Sequence, residues 1–290
     1  MQRTDSWQQY LDLKAEAKAR GLTLSNLYFL PGQARQKIDA GRLYCRRDPA
    51  GAGWLLLDEN GGFYRCYYQL APQTPCAPVQ LDRDAVIELP FRGGLGPAQQ
   101  PELEQIARMG FALGRESARM ERPAAGLPDS PPDPPDPPGV SVGPAQPDRQ
   151  AEIAALLDAS FDRLYSFLPD GAELAGRIAA GQVLAAVGQD GRLLGVLNSS
   201  CGHNTACIDQ LAVQPDARGR RVGAALAAAY HRLYAGRVRS FGHWVDLHNA
   251  PALALYRRFG YQLTPKRANE YVLRLPATPS SPGAHAPAET

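Results

Sequence analysis

Residues 208–234 read IDQLAVQPDARGRRVGAALAAAYHRLY, and residues 249–261 read NAPALALYRRFGY. The first stretch predicts an apolar strand, a short basic loop and an alanine-rich helix. Backbone N–H groups at the start of a helix have no intrahelical partner, and the helix dipole favours negative charge there. Gly219 and Gly223 let this backbone approach a phosphate closely, and three arginines add positive charge: Arg218, Arg220 and Arg221.

The second stretch predicts a helix with Asn249 at its start and Tyr256 two turns in. Gly260 follows at the helix-end position that glycine favours. A core tyrosine on an amphipathic helix has the same spacing, so two interpretations of Tyr256 stand side by side. Together the two stretches predict a pyrophosphate-binding loop beside a hydroxyl that can donate a proton.

The two motifs in combination resemble the Gcn5-related N-acetyltransferase (GNAT) superfamily, whose members move acyl groups from acyl-CoA to amines. The motifs are RGRRVGAAL, preceded by LAV, and NxxAxxLYxxxGY, and the resemblance covers about residues 139–275. It implies an α/β fold with a mixed α+β sheet, the acyl-CoA N-acyltransferase (GNAT) fold. It also implies acetyl-CoA as the co-substrate.

The resemblance assigns roles to individual positions of this chain. The loop amides that would hold the CoA pyrophosphate belong to Arg218, Gly219, Arg220, Arg221, Val222, Gly223 and Ala224. The strand that would pair with the pantetheine arm, and point an N–H group at the acyl carbonyl, contains Leu211, Ala212 and Val213. Asn249 would contact the cofactor, and Tyr256 would protonate the departing thiolate.

Arg221 is the one departure from the family's loop pattern, R/Q-x-x-G-x-G/A, because it stands where the first glycine normally lies. Arginine fits that position if its φ stays below zero and its N–H still faces the phosphate.

The amine acceptor is protonated at neutral pH, so a base or a chain of water molecules has to remove its proton. Asp209 is the leading candidate because it lies on the strand that passes the acyl group; Asp246, on the next strand, is an alternative base or a binder of the substrate's ammonium group. The segment SFDRLYSFLPDG predicts cleft or core residues at Phe161, Tyr165 and Phe167, with Asp162 or Asp170 attracting an amine.

Composition limits the other function classes. The formal net charge of +2 is too small to indicate nucleic-acid binding, and the sequence contains no apolar run long enough to span a membrane. The first residues lack the apolar core of a secretory signal. Five cysteines without C-x-x-C spacing predict free thiols and no metal site, so we expect a cytoplasmic protein.

The segment 123–139, PAAGLPDSPPDPPDPPG, separates two halves of the chain, because its prolines cannot enter a helix or the interior of a sheet. The expected domains are 1–122, a linker at 123–139, a catalytic domain at 140–275 and a disordered tail at 276–290. The catalytic half alternates helices and strands, with a hairpin turn at Asp190–Gly191 and two short closing strands, YQL and EYVLRL.

The first half contains a partial repeat of the second. IARMGFALGRESARMER aligns with YRRFGYQLTPKRANEYVLR, which places Ile106 at the position of Tyr256, and no segment of the first half resembles RGRRVG. We infer a degenerate, non-catalytic GNAT-like copy that walls the substrate cleft; an unrelated α+β domain is the alternative. Its own hairpin is predicted to turn at Asn60–Gly61.

The sequence thus predicts a tandem N-acetyltransferase that transfers an acetyl group to a primary amine of a small molecule or peptide, by direct attack in a ternary complex. The alternative is a non-catalytic acyl-CoA-binding regulatory module. We expect no nucleic-acid or membrane partner, and either a monomer that forms an intramolecular pseudo-dimer or a homodimer.

Overall fold

The computed structural model describes residues 1–124 and 137–275. Most of the predicted linker 123–139 and the whole predicted tail 276–290 lie outside the described residues. The chain divides into two compact units, and neither is continuous in sequence. The first unit comprises Met1–Ile87, Pro101–Ala112 and the chain from Val272 onward. The second comprises Glu88–Gln100 and Leu113–Tyr271.

The first unit is a mixed sheet with helices. Its elements in chain order are β1 (Gln2–Arg3), α1 (Trp7–Ala19), β2 (Leu24–Ser25), α2 (Pro31–Asp39), β3 (Leu43–Arg47), β4 (Gly53–Asn60), β5 (Phe63–Leu70), the start of β6 (Ala85–Arg92) and α3 (Gln100–Arg108). The strand order is β1–β3–β4–β5–β6, with β2 also paired to β5. Only the β5–β6 pair within this unit is parallel.

Local sequence signals account for the helix ends of the first unit. The Ser6 side chain accepts a hydrogen bond from the backbone N–H of Gln9 (3.2 Å) and so caps the start of α1. Gly21 and Gly41 follow α1 and α2 with φ angles of 65° and 66°, the left-handed conformation that glycine adopts without strain. The helices pack on the sheet through a core that includes Tyr10, Ile38 and Trp54.

The second unit contains a longer mixed sheet. Its further elements are β7 (Ala112–Pro123), β8 (Val140–Pro144), α4 (Gln150–Ser160), α5 (Gly171–Ala179), β9 (Val183–Gly188), β10 (Leu193–Gly202), β11 (Thr205–Val213), α6 (Val222–Tyr234), β12 (Ser240–Asp246), α7 (Ala250–Arg258) and β13 (Gln262–Leu273). The strand order is β6–β13–β7–β12–β11–β10–β9–β8. Among the pairs with a defined register, β11–β12 is parallel and the others are antiparallel.

The position of strand β7 within this sheet is the feature that the sequence does not predict. It precedes the predicted linker, yet it lies between β12 and β13, with Ser117 paired to Asp246 and Arg122 paired to Phe241. The predicted domains 1–122 and 140–275 follow the chain, whereas the compact units follow this strand pairing.

Helix α6 occupies the core of the second unit. Its alanine-rich sequence buries almost every side chain from Val222 to Tyr230, because small residues allow a helix to lie close to a sheet. The core around α6 also contains Leu226, Phe241 and Tyr256, while α4 and α5 pack with the other buried cluster of this unit. The position of α6 fixes the loop that precedes it.

Two expected details of the strands are wrong. The N-terminal hairpin turns at Gly61–Gly62, with φ angles of 60° and 99°, so that Asn60 pairs with Phe63 as the last strand residue. The expected pair of closing strands is one continuous strand, β13, because it is hydrogen-bonded between β6 and β7. The predicted turn at Asp190–Gly191 is confirmed, since Gly191 has a φ of 80° and Gly188 N–H donates to the carbonyl of Arg192.

The elements of the first half follow the order of the second, with one omission. Two helices, a three-strand stretch, a parallel strand, a helix and a long strand recur, so α3 corresponds to α7 and β7 to β13. Residues 71–84, between β5 and β6, contain no helix, whereas α6 connects β11 to β12. The first half therefore lacks both the central helix and the loop that leads into it.

Candidate active site

Strands β11 and β12 separate and open a cleft in the second unit. In the described structure their parallel register covers only three residue pairs, Thr205–Cys207 with Ser240–Gly242, although β11 runs on to Val213 and β12 to Asp246. Beyond Cys207, the edge of β11 that faces β12 is therefore exposed to a cleft. An extended ligand can pair with such an edge as a strand would.

The cleft has a volume of about 710 Å³ and lies within the second unit. It collects most residues that the sequence singled out for substrate or catalysis. Those residues are Phe161, Asp162, Tyr165, Phe167, Asp209, Leu211, Asp246, Asn249 and Tyr256. These residues of β11, β12, α7 and the segment after α4 therefore line one cleft.

The loop from β11 to α6 presents backbone N–H groups. A single 3-10 turn at Pro215–Ala217 leads into it, and the first hydrogen bond of α6 is donated by Ala225 N–H to the carbonyl of Arg221 (3.0 Å). Within the described part of the chain, the N–H groups from Gly219 through Ala224 bind no acceptor. A helix start with unpaired amides is a site for an anion.

Positive charge surrounds these amides. The side chains of Arg218, Arg220 and Arg221 are exposed, and in the described residues none of them forms an ion pair. Arg218 makes one long hydrogen bond, to the carbonyl of Val213 (3.4 Å). The charges of the loop are thus available to a phosphate group.

The condition of a negative φ at Arg221, under which arginine would fit the loop without strain, is not met. Arg221 has φ 66° and ψ 10°, the left-handed conformation, and serves as the N-terminal cap of α6. The backbone at Arg221 thus has the conformation that a glycine would adopt in this loop. A residue with a side chain is strained in that conformation. The two glycines of the loop differ from each other in backbone conformation: Gly219 has a φ of 76°, while Gly223 is helical.

Tyr256 lies on α7 and lines the cleft, with only 7% of its surface exposed. Burial raises the pKa of its hydroxyl above the usual value, so the group stays protonated at neutral pH. Its ring packs against His243, with a centroid distance of 3.6 Å. A neutral phenol at this place can donate a proton.

His243 is buried behind Tyr256, and neither ring nitrogen has a hydrogen-bond partner in the described structure. Burial, together with the charge of Arg119, lowers its pKa to about 3. The imidazole is therefore neutral, and its role next to Tyr256 is one of packing.

Asn249 caps the start of α7. Its side-chain oxygen accepts a hydrogen bond from Ala252 N–H (3.1 Å), while the residue is exposed at the cleft. The cap uses the oxygen, so the amide nitrogen is the group that faces a ligand. The predicted cofactor contact is compatible with this geometry.

Asp209 lies at the cleft, but two donors already occupy its carboxylate. Arg177 donates to Oδ2 (2.6 Å) and Ser200 donates to Oδ1 (2.9 Å). The residue sits at an irregularity of the β10–β11 register, where Asn198 pairs with Gln210 and Ser199 with Ile208. Asp209 has to give up one of these contacts to accept a proton, so its role as the base stays a prediction.

Asp170 is the one candidate among the predicted substrate-binding carboxylates that lies elsewhere. It caps α5 by accepting a hydrogen bond from Glu173 N–H (2.8 Å) and does not line the cleft. Asp162 lines the cleft and also accepts a hydrogen bond from Leu164 N–H (2.9 Å). A sequence pattern D-G-x-E before a helix is typical of such a cap.

Several cleft residues come from strands that sequence reasoning did not connect to the site. They are Glu88 on β6, Arg115, Ser117 and Arg119 on β7, and Glu270 on β13. Arg115 binds Glu270 (2.5 Å) and its guanidinium lies over the ring of Tyr165, 5.0 Å from the centroid. The alternation of positions 115, 117 and 119 was a signal for one shared face of a strand.

These residues agree with the expectation that part of the first half walls the cleft. Gly114 of β7 allows this wall to approach Tyr165, since a Cβ atom there would lie 2.4 Å from the tyrosine hydroxyl. All five cysteines are free thiols, and in the described ranges no three His, Cys, Asp or Glu side chains cluster as metal ligands. No helix described by the structure is long and apolar enough to cross a membrane.

Comparison with known proteins finds a family model that matches part of the chain. Residues 144–261 match the family model "Acetyltransferase (GNAT) family". A search of curated proteins finds no match. The match confirms the resemblance inferred from the loop and helix motifs, and it covers the loop from β11 to α6 and the helices α6 and α7.

Solved structures share the fold at low sequence identity. A GCN5-related N-acetyltransferase from Sphaerobacter thermophilus has 17% identity and a TM-score of 0.54, with 88% of each chain covered. A tandem GNAT protein from the clavulanic acid biosynthesis pathway, in a structure without AcCoA, has 18% identity and a TM-score of 0.51, covering 94% of this chain and 95% of that one.

A glucosamine N-acetyltransferase region of a fungal multi-domain GH3 β-N-acetylglucosaminidase is also similar. It has 14% identity and a TM-score of 0.57, and the match covers 89% of this chain but 37% of that chain. At such identities the likeness establishes the fold. Because the tandem protein matches across both halves, the predicted tandem architecture and the GNAT-like fold of the first half are confirmed.

Proposed function

We propose that the protein transfers an acetyl group from acetyl-CoA to a primary amine, because residues 144–261 match the model of the GNAT acetyltransferase family. The acceptor belongs to a small molecule or a peptide, and the amine attacks directly in a ternary complex. The observation that best supports this proposal is the run of unpaired N–H groups from Gly219 through Ala224 beside the opened edge of β11.

The residues of the chain fit acetyl-CoA. The loop amides and the three exposed arginines suit the pyrophosphate, and the free edge of β11 suits the amide groups of the pantetheine arm. Gly223 adds no side chain at the helix start; a Cβ atom there would lie 3.5, 3.6 and 3.8 Å from the side chains of Leu211, Val213 and Leu255. Acetyl-CoA supplies the activated acyl group.

The protein side of the reaction consists of orientation and proton transfer. A backbone N–H of β11 near Leu211 stabilises negative charge on the acyl oxygen, since a fixed donor needs no reorganisation. The neutral hydroxyl of Tyr256 donates its proton to the departing thiolate. The proton of the amine leaves through Asp209 or through water, and the ion pair of Asp209 with Arg177 favours the route through water.

A non-catalytic acyl-CoA-binding module is the second candidate, because it needs the same loop. The buried, protonated Tyr256 at the cleft favours the enzyme, since a sensor has no use for a proton donor there. The cytoplasmic location and the monomeric or homodimeric state stay predictions.

One experiment separates these candidates. The protein is incubated with acetyl-CoA and a panel of amines, including amino acids, peptide amino termini, polyamines and aminoglycosides, and the released CoA thiol is measured. We expect acetyl-CoA to raise the melting temperature by mass action and at least one amine to release thiol. A melting shift without thiol release supports the binding module, and the absence of both results would contradict both candidates.

A further inference from the structure

The cleft is asymmetric in charge. The loop at the start of α6 is basic, with Arg218, Arg220 and Arg221 exposed. The residues that line the cleft include three arginines and five carboxylates, a net charge of −2: Arg115, Arg119, Arg177, Glu88, Asp162, Asp209, Asp246 and Glu270. An anionic cofactor and a cationic acceptor are thus favoured on different sides of one site.

The arginines of the cleft are already bound to carboxylates. Arg115 binds Glu270 at 2.5 Å, Arg177 binds Asp209 at 2.6 Å, and Arg119 lies 3.3 Å from Glu121. The Arg119 guanidinium also donates to the sulfur of Cys207 (3.1 Å). An acceptor with its own carboxylate would have to compete with these pairs.

Asp246 differs from the paired carboxylates. Its Oδ1 atom accepts a hydrogen bond from His248 N–H (2.8 Å), while its Oδ2 atom has no partner among the described residues. Among the described residues, the exposed His248 ring lies next to this carboxylate, with Nδ1 3.4 Å from Oδ1, and Nε2 of the same ring lies 4.0 Å from Glu116. Asp246 therefore offers one open oxygen at the cleft.

Trp244 lies next to Asp246 on the same face of β12. The two residues are two positions apart, which separates them by about 7 Å along a strand. Trp244 lines the cleft and is 47% exposed, a large value for a tryptophan on a central strand. An ammonium group placed between them contacts the ring face and the carboxylate at once.

Phe167 forms an aromatic surface on the loop side of the same cleft. It is 60% exposed, and its carbonyl accepts a hydrogen bond from Gln210 Nε2 (2.9 Å), which ties this loop to β11. The cleft thus has apolar ring surfaces for a hydrocarbon chain and a carboxylate for a charge, the combination that suits an aliphatic amine.

The carboxylate of Asp246 is unsuited to bind the attacking amine itself. A nearby negative charge favours the protonated form of an amine, and the protonated form has no lone pair for attack. A carboxylate that binds substrate without slowing the reaction has to hold a different cationic group of the same molecule. This argument requires two amino groups in the acceptor.

We propose, on the basis of the acetyltransferase function proposed above, that the acceptor is an aliphatic di- or polyamine. Trp244 and Asp246 hold one protonated amino group, and a second, neutral amino group attacks the acetyl carbon near β11. In the transfer the amine nitrogen forms the bond to the acetyl carbon as the carbon–sulfur bond breaks. The thiolate receives a proton from Tyr256, and the nitrogen loses one to water.

Three acceptors of equal chain length test this proposal: 1,4-diaminobutane, butylamine and 4-aminobutyrate. The fourth carbon, farthest from the attacking amine, carries an ammonium group in the first, is a methyl group in the second and is a carboxylate in the third. We expect kcat/KM with acetyl-CoA to fall in that order, by roughly tenfold at the first step. Equal or higher kcat/KM for butylamine or 4-aminobutyrate would contradict the assignment of the acceptor, while acyl transfer as such would stand.

Substitutions in the cleft test which side chains cause the preference for the diamine. Asp246→Asn and Trp244→Leu are expected to reduce the diaminobutane-to-butylamine ratio of kcat/KM, each by about threefold to tenfold. Asp148→Asn, which removes the same charge outside the cleft, is expected to leave the ratio unchanged. A ratio that is the same in all four proteins would overturn the proposal.

Calorimetric binding to the CoA-saturated protein gives a readout that needs no turnover. We expect 1,4-diaminobutane to bind more tightly than butylamine, and the preference to weaken in Asp246→Asn. This preference supports the acceptor site even if no thiol is released. The absence of thiol would then contradict the proposed acetyl transfer alone. Equal binding of the two amines would refute the site.

Discussion

Arg221 keeps a backbone conformation that non-glycine residues rarely adopt. Its φ of 66° stores strain at the start of α6, in the loop that presents the amides. Arg221→Gly should release this strain and raise the free energy of unfolding by about 1 kcal/mol. Urea unfolding measures the change.

Arg220→Gly is the matched control for this substitution, because Arg220 is exposed, adjacent and outside the set of residues with positive φ. It removes the same charge but adds flexibility to the unfolded chain, so it should lower stability by about 0.5–1 kcal/mol. If both glycines change stability in the same direction, strain at Arg221 is not the cause.

Tyr256→Phe tests the proton donor. It removes the hydroxyl while keeping the ring against His243, so kcat should fall by roughly ten- to a hundredfold and acetyl-CoA affinity should change little. Tyr230→Phe is the control, because that tyrosine is buried on α6 with an unpaired hydroxyl outside the cleft. Equal turnover of the two variants would remove Tyr256 from the mechanism.

His243 predicts a pH dependence of stability. Burial lowers its pKa to about 3, whereas a histidine in the unfolded chain titrates near 6.5. Between these values the unfolded state binds more protons, so the free energy of unfolding should fall as the pH falls from about 6.5 towards 3. The slope attributable to one such group is up to about 1.4 kcal/mol per pH unit.

His243→Phe should remove this contribution, which makes its unfolding free energy less sensitive to pH over the same window. Chemical denaturation of both proteins at several pH values gives the comparison. Parallel pH curves for the two proteins would show that His243 is not the group responsible.

Single residues also show how far the sequence could predict the site. The motif around Tyr256 was found from local spacing, and Tyr256 lines the cleft, whereas loop residues 218–224 are not among the described residues that line it. The Arg115–Glu270 pair joins positions 155 residues apart, so only the strand order could reveal it. The φ of Arg221 was not predicted, because the sequence shows the preference of side chains for negative φ but not the backbone shape of the loop.

At the scale of elements, the contact between β10 and α6 determines where the phosphate-binding loop lies. A Cβ atom at Gly195 would lie 2.9 Å from the carbonyl of Ala212 and 3.1 Å from Val222 and Leu226. Gly195→Ala should therefore displace β11 and the start of α6. We expect a loss of about 1–3 kcal/mol of stability and weaker acetyl-CoA binding.

Gly202→Ala provides the control on the same strand, because nothing lies within 4 Å of a Cβ atom there. Stability and acetyl-CoA affinity, measured by denaturation and calorimetry, should stay close to those of the unaltered protein. Loss of affinity in both variants would argue against a specific contact between β10 and α6.

Elements with strong local sequence signals were predicted well, whereas strands whose extent depends on hydrogen bonding to neighbouring strands were not. The helix ends at glycines and the turn at Gly191 follow from short sequence patterns. The continuous β13 does not, because its middle, TPKRAN, has a loop-like composition and becomes a strand through bonding to β6 and β7. In such a case, hydrogen bonding to neighbouring strands outweighs the intrinsic β-propensity of the residues.

At the scale of the whole molecule, the catalytic unit depends on a strand from before the linker. A fragment of residues 137–275 lacks β7, which lies between β12 and β13 and supplies Arg115, Ser117 and Arg119 to the cleft. We expect this fragment to be aggregated or unfolded, as size-exclusion chromatography and circular dichroism would show. A folded, monomeric and active fragment would contradict the role of β7.

The position of β7 also bears on how the chain folds during synthesis. β7 ends at Pro123 and leaves the ribosome well before β12, which begins at Ser240, and before β13, which ends at Leu273. Its two strand neighbours are therefore made after every other strand of this sheet, and the sheet closes only after β13 has been synthesised. During that interval β7 has two open edges, so nascent chains that stall in the second half should be prone to association and dependent on chaperones.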